Sequence, residues 1–146
     1  MSDPHNLARF LDAQAPLIDR VRAELTAGSK RTHWMWFIFP QLQGLGRSEA
    51  ARFYGLAGLE EARAFLAHQV LGQRLKELTE QVLATPANLS AHDIFGSPDD
   101  LKFRSSMTLF ARVNPEEPSF RQALARFYGA APDPLTLAVL ARSAPH

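Results

Sequence analysis

Apolar positions along the chain recur at the spacing of a helix and almost nowhere at that of a strand. Leu7, Phe10, Leu11 and Gln14 fall on one helical stripe, and Asp3-Pro4 reads as an N-cap followed by proline in the first turn. Pro16 divides this stripe from a second one, Leu17, Ile18, Val21 and Leu25, which Gly28 is placed to stop. Ser48 caps a short helix over Glu49–Tyr54 that ends at Gly55, and a further helix carries Leu59–Leu66 with two acids in its first turn. Leu71, Leu75, Leu78 and Val82 share one face of Val70–Ala84. Ser90 with Asp93 three residues on forms a capping-box pattern. Ser97-Pro98-Asp99-Asp100 predicts a helix with Ser97 as N-cap and Pro98 at the first position, continuing through Phe103, Met107, Phe110 and Val113. Helices over Phe120–Tyr128, stopped by Gly129, and from Asp133-Pro134 to Arg142 complete the series.

One stretch has no period. Trp34 to Phe39 is six apolar residues in a row, which a buried strand or a buried helix would equally produce. A helical segment ended by Pro40 is favoured, because no second strand-like run exists to pair with it. The predicted fold is therefore all-α, a compact multihelical single domain over residues 1–146 with about eight helices joined by short loops.

Composition narrows the chemistry. The chain has 146 residues and no cysteine, which excludes disulfides, thiol nucleophiles and cysteine-ligated metals. No metal site is expected, since His5, His33, His68, His92 and His146 fall at no ligand spacing, and no cofactor is implied. The polar Met1–Asn6 stretch lacks the apolar run of a signal peptide, and no run approaches the ~20 residues of a membrane span, so a cytoplasmic protein with no membrane partner is expected. A net charge of +1 disfavours nucleic acid, and the lone basic pair Lys30-Arg31 reads as a solvated loop. Nucleotide-binding glycine loops, zinc-protease helices and nucleophile elbows are all missing from the sequence. Ser106, His33 and Asp99 can be spelled out as a triad, but no signal positions a strained nucleophile or oxyanion hole. The pentapeptide Ala51-Arg52-Phe53-Tyr54-Gly55 recurs as Ala125-Arg126-Phe127-Tyr128-Gly129, which reads as two similar helix ends.

Two segments stand out as candidate chemistry. His33-Trp34-Met35-Trp36-Phe37-Ile38-Phe39-Pro40-Gln41 holds both tryptophans between polar residues, as a flat heterocycle would require, although a core segment explains the same residues. Along Phe95–Phe110, Asp99, Lys102 and Ser106 follow one another at one-turn spacing, and Ser105 and Thr108 share another flank. These hydroxyls beside Lys102 fit either a polar pocket wall or close helix packing with a surface ion pair.

These segments, with Gly44-Leu45-Gly46-Arg47-Ser48 and Phe53-Tyr54-Gly55, together resemble the bacterial domain-of-unknown-function 1810 family over almost the whole chain. Its members sometimes carry the label calpastatin, but nothing in this chain reads as a disordered protease inhibitor. The resemblance implies a compact multihelical fold and brings no activity with it. The helical plan is also loosely similar to all-α N-glycosidases that act on ADP-ribosylated substrates.

The functional expectation is a small-molecule pocket for a nucleotide- or ADP-ribose-like ligand, with N-glycosidic hydrolysis as the reaction such a pocket would support. Asp99, Asp100 and Lys102 are its candidate catalytic residues. His33, Trp34, Trp36, Gln41, Arg47, Tyr54, Ser105 and Ser106 are its candidate ligand-binding residues. The alternative is a non-enzymatic protein-interaction module that docks a partner, not identifiable from the sequence, on an exposed aromatic patch at Trp34–Phe39. The pocket requires that the two segments meet in space.

Overall fold

A computed structural model of the chain describes residues 3–143. Met1, Ser2 and His146, which entered the expectations above, lie outside the described residues. Ten helices follow one another: α1 (Ala8–Gln14), α2 (Ile18–Thr26), α3 (Met35–Ile38), α4 (Glu49–Tyr54), α5 (Leu59–Ala67), α6 (Leu71–Leu83), α7 (Ala91–Phe95), α8 (Asp99–Val113), α9 (Pro118–Tyr128) and α10 (Pro134–Ser143). The fold is all-α as expected. Among the described residues the helices number ten rather than about eight, with the short segments α3, α4 and α7 each standing as a helix of its own. The described residues form no strand; an isolated parallel bridge joins Leu42 and Leu56. Among the described residues no helix is long and apolar enough to cross a membrane.

Several helix ends follow their sequence signals closely. The Ser48 hydroxyl accepts from Ala51 N–H, and Ser90 and Asp93 complete a reciprocal capping box. Gly129 adopts the left-handed conformation that ends α9. Two starts differ from expectation. The Asp3 carboxylate accepts from the N–H groups of Leu7 and Ala8, at 2.9 and 3.0 Å, so it caps a helix that begins four residues later than Pro4. Pro98, not Ser97, occupies the N-cap position of α8, and the Ser97–Pro98 peptide is cis. The first turn of α8 closes instead on backbone, with Asp100 N–H donating to Gly96 O at 2.9 Å.

Helix α8 is the central element and packs against α3, α5, α7, α9 and α10. Its buried face supplies Phe103, Met107 and Phe110 to one continuous core with Phe10, Trp34, Phe39, Phe65 and Phe120. Phe103 meets Phe39 edge-on at 5.0 Å and stacks on Phe95 at 4.7 Å, which ties α3, α7 and α8 together. The unpatterned Trp34–Phe39 run is thus core: five of its six side chains are buried and Trp36 alone is partly exposed. The segment is therefore not a continuous aromatic surface.

Candidate functional site

The Trp36–Lys102 contact answers whether the two unusual segments meet. The Lys102 ammonium lies 3.8 Å from the centroid of the Trp36 ring. That distance is well inside the ~6 Å range of a cation–π contact. Lys102 Nζ also donates to Asp99 Oδ1 at 3.1 Å, one helical turn back on α8. The other oxygen, Asp99 Oδ2, receives Lys30 Nζ at 2.8 Å. Lys30 is read from sequence as part of a solvated loop, yet its side chain is only 7% exposed. Its ammonium lies 5.1 Å from the Trp34 ring centroid. Pairing between Lys30 and Asp99 across the fold has no signature in local spacing, which is why sequence reasoning missed Lys30.

The loop that carries Lys30 is fixed from both sides. Its N–H donates to Ile94 O at 2.7 Å. Beneath it the buried Glu24 carboxylate accepts from Arg31 N–H, Thr32 N–H, the Thr32 hydroxyl and the Trp34 indole N–H, at 2.7 to 3.1 Å. Burial alone would raise the Glu24 carboxyl, but these donors outweigh it and bring its pKa down to about 2. Burial likewise acts to raise Asp99, and the Lys30 and Lys102 ammonium groups override it, holding Asp99 below the ordinary aspartate range. The centre of the site is therefore one fixed carboxylate bridging two ammonium groups, each beside an indole. Lys30 and Lys102 face Asp99 directly, and the ionised Glu24 carboxylate lies beneath the Lys30 loop, so the two cations are matched by two anions.

The remaining candidates are distributed around this centre. Trp34 is fully buried, with its indole committed to Glu24. His33 and Arg47 are exposed, and Gly46 borders the Trp36 ring, at 3.8 Å from the position of its missing Cβ. Gln41 is buried, and its carbonyl accepts from Leu56 N–H. Tyr54 packs on Phe37 at 5.3 Å and on Phe10 at 5.8 Å. The Asp100 carboxylate accepts from Leu101 N–H, lies 3.8 Å from His92 Nδ1, and its backbone carbonyl accepts from the Tyr128 hydroxyl. The Ser105 hydroxyl lies within hydrogen-bond distance of both Leu101 O and Asp133 Oδ2, at 3.1 and 3.0 Å, so it joins α8 to the start of α10. Ser106 is fully buried, and its hydroxyl has no hydrogen-bond partner among the described residues. Among the described residues no group of three or more histidines, aspartates or glutamates is placed to hold a metal ion.

Comparison with known proteins gives the chain a family but no reaction. No curated protein matches it. The fold matches the crystal structure of a conserved hypothetical protein, Rv1873, from Mycobacterium tuberculosis, with a TM-score of 0.93 and 52% identity over 95% of this chain and 99% of that one. The family model described as "Protein of unknown function (DUF1810)" matches residues 4–140. The chain belongs to the DUF1810 family.

Proposed function

We propose that the Trp36–Lys102–Asp99–Lys30 cluster binds a small anionic ligand of the nucleotide or ADP-ribose type. The observation that carries this reading is the Lys102 ammonium held 3.8 Å over a partly exposed Trp36 ring. A phosphate drawing Lys102 toward itself would uncover the indole face for a base, with stacking worth roughly 1–3 kcal/mol. Lys30, pinned between Asp99 and Trp34, holds the Asp99 carboxylate in place behind Lys102. His33 and Arg47 are exposed polar groups able to meet the rest of the ligand.

N-glycosidic hydrolysis is the reaction this arrangement would support. Asp99 is ionised at neutral pH, so its role would be that of base and not acid. It would take a proton from water as the water oxygen bonds to the anomeric carbon, while the carbon–nitrogen bond breaks and its electron pair leaves with the heterocycle, whose nitrogen takes up a proton from solvent where it departs as an anion. Asp100, one residue on, would be a second carboxylate, with its Oδ2 3.8 Å from His92 Nδ1. The interaction-module alternative loses most of its aromatic surface, since Trp36 alone in that segment is partly exposed.

A thermal-shift titration with AMP, NAD, ADP-ribose and nucleosides tests binding. At 100 times its dissociation constant a ligand adds about 2.7 kcal/mol of stability, and Lys102→Ala should abolish the gain. Chromatography of the same mixtures reads release of the free base. No shift with any of these compounds, or a shift undiminished in Lys102→Ala, overturns the reading.

A further inference from the structure

The repeated pentapeptide has two different fates in the fold. In the second copy the Arg126 guanidinium donates to the carbonyls of Val82, Leu83, Pro86 and Leu89, which closes the end of α6 and the loop after it. The adjacent Phe127 packs edge-on against Phe103 at 6.2 Å. Arginine and phenylalanine are both consumed in holding the structure. In the first copy Arg52 is exposed and its guanidinium has no partner among the described residues, while Phe53 is 54% exposed. Helix α4 is held by other members of the same motif, the buried Ala51 and the Tyr54 ring. Gly55 lets the following strand of chain pass close to Gln43, where a Cβ would stand 2.7 Å from Gln43 Cα.

Arg52 and Phe53 open onto a cleft of about 470 Å³, also lined by His5, Arg9, Gln43 and Glu61. Small-molecule sites run to roughly 300–1,000 Å³. The floor of the cleft is rigid. Arg9, 8% exposed at its side chain, donates to the carbonyls of His5, Asn6 and Phe53 and pairs with Glu61 Oε2 at 3.0 Å. That pair is internally neutral, so the uncompensated charge of the cleft is the positive charge of Arg52. Phe53 is oriented by edge-on contact with Tyr54 at 4.8 Å. Glu61 Oε1 accepts from no described residue and remains an acceptor for an N–H or O–H group.

From these three features we infer that the cleft is a second binding site, for a small molecule that joins a planar ring, bearing a hydrogen-bond donor, to a carboxylate or phosphate. The ring lies on Phe53, the anion meets Arg52, and the donor reaches Glu61. This inference is independent of the Trp36 site.

Two-dimensional amide NMR of the whole protein tests it, with 4-hydroxybenzoate and 4-hydroxyphenyl phosphate as probes and phenol and inorganic phosphate as controls. Binding of either probe should move the Gly55 and Ala57 amide resonances and leave the Trp36 indole resonance in place. Both Arg52→Ala and Phe53→Ala, at exposed positions, should weaken it by about tenfold or more. A response to only one probe identifies the anion as carboxylate or phosphate. The inference is overturned if neither probe moves Gly55 and Ala57, if phenol or inorganic phosphate binds as well as the probes, or if the two variants bind as tightly as the parent.

Discussion

Lys102 lies with its ammonium 3.8 Å over the ring of Trp36, and this contact spans the two segments that are chemically unusual in sequence. Its energetic position differs from that of Asp99. Removing Lys102 leaves the Lys30–Asp99 pair intact at 2.8 Å. Removing Asp99 strands two ammonium groups, one of them only 7% exposed. Lys102→Ala should therefore cost about 1 kcal/mol or less, and Asp99→Ala about 2–3 kcal/mol. Urea denaturation of the two variants measures the difference, and equal costs would contradict a bridging role for Asp99.

Glu24 should make the fold sensitive to acid. Its carboxyl titrates near 2 in the folded chain against 4.5 for the free side chain. A depressed folded pKa gives stability that is complete above about pH 4.5 and lost as pH falls toward 2. Asp99, Asp3 and Asp93 are lowered too and act in the same direction, so the wild-type trend alone does not isolate Glu24. Glu24→Gln should lower stability at pH 7 and show a smaller further loss between pH 4.5 and 2.5. Parallel pH profiles for the two proteins would remove Glu24 as the cause.

Much of the helical plan is legible in the sequence because caps act over three or four residues. Ser48, Ser90 with Asp93 and Gly129 all act where local pattern places them. Asp3 is a partial case: its capping chemistry is evident, but its reach to Leu7 and Ala8 depends on the turn between them. Trp34 and Trp36 stand two positions apart in an unbroken apolar run, so no period separates the buried ring from the partly exposed one. Lys30 and the Arg52–Phe53 cleft are set by pairings between residues far apart in the chain, which local patterns do not encode.

Ser106 is a buried hydroxyl without a partner. Burying such a group costs roughly 1–3 kcal/mol by mutational measures. Ser106→Ala removes that cost with little loss of volume, so it should leave the protein as stable or up to about 1 kcal/mol more stable. A rise in melting temperature is the expected reading. A clear drop would mean that the hydroxyl is hydrogen-bonded in solution.

The two copies of the pentapeptide give a matched comparison. Arg126→Ala leaves carbonyls at the end of α6 without their donor and should cost about 2–3 kcal/mol. Arg126→Lys should recover little of this, since an ammonium does not reproduce the planar fork. Arg52→Ala, at an exposed position, should stay within about 0.5 kcal/mol of the parent. Chemical denaturation of all three variants checks the contrast.

The junction before α10 bears on how the molecule breathes. Asp133 Oδ2 gathers the Ser105 hydroxyl and both the N–H and hydroxyl of Thr136, Asp133 N–H donates to Thr108, and Arg104 holds the carbonyls of Ala131 and Pro132. The terminal helix is thus fastened to one short stretch of α8 by a compact polar clasp. Such a clasp releases as a unit, so amides across α10 should exchange with solvent together, by detachment of the whole segment instead of fraying inward from its end. In Asp133→Ala, hydrogen exchange should quicken across α10 as a block while the Phe103–Phe110 region of α8 keeps its protection, so that one aspartate sets how the whole helix detaches.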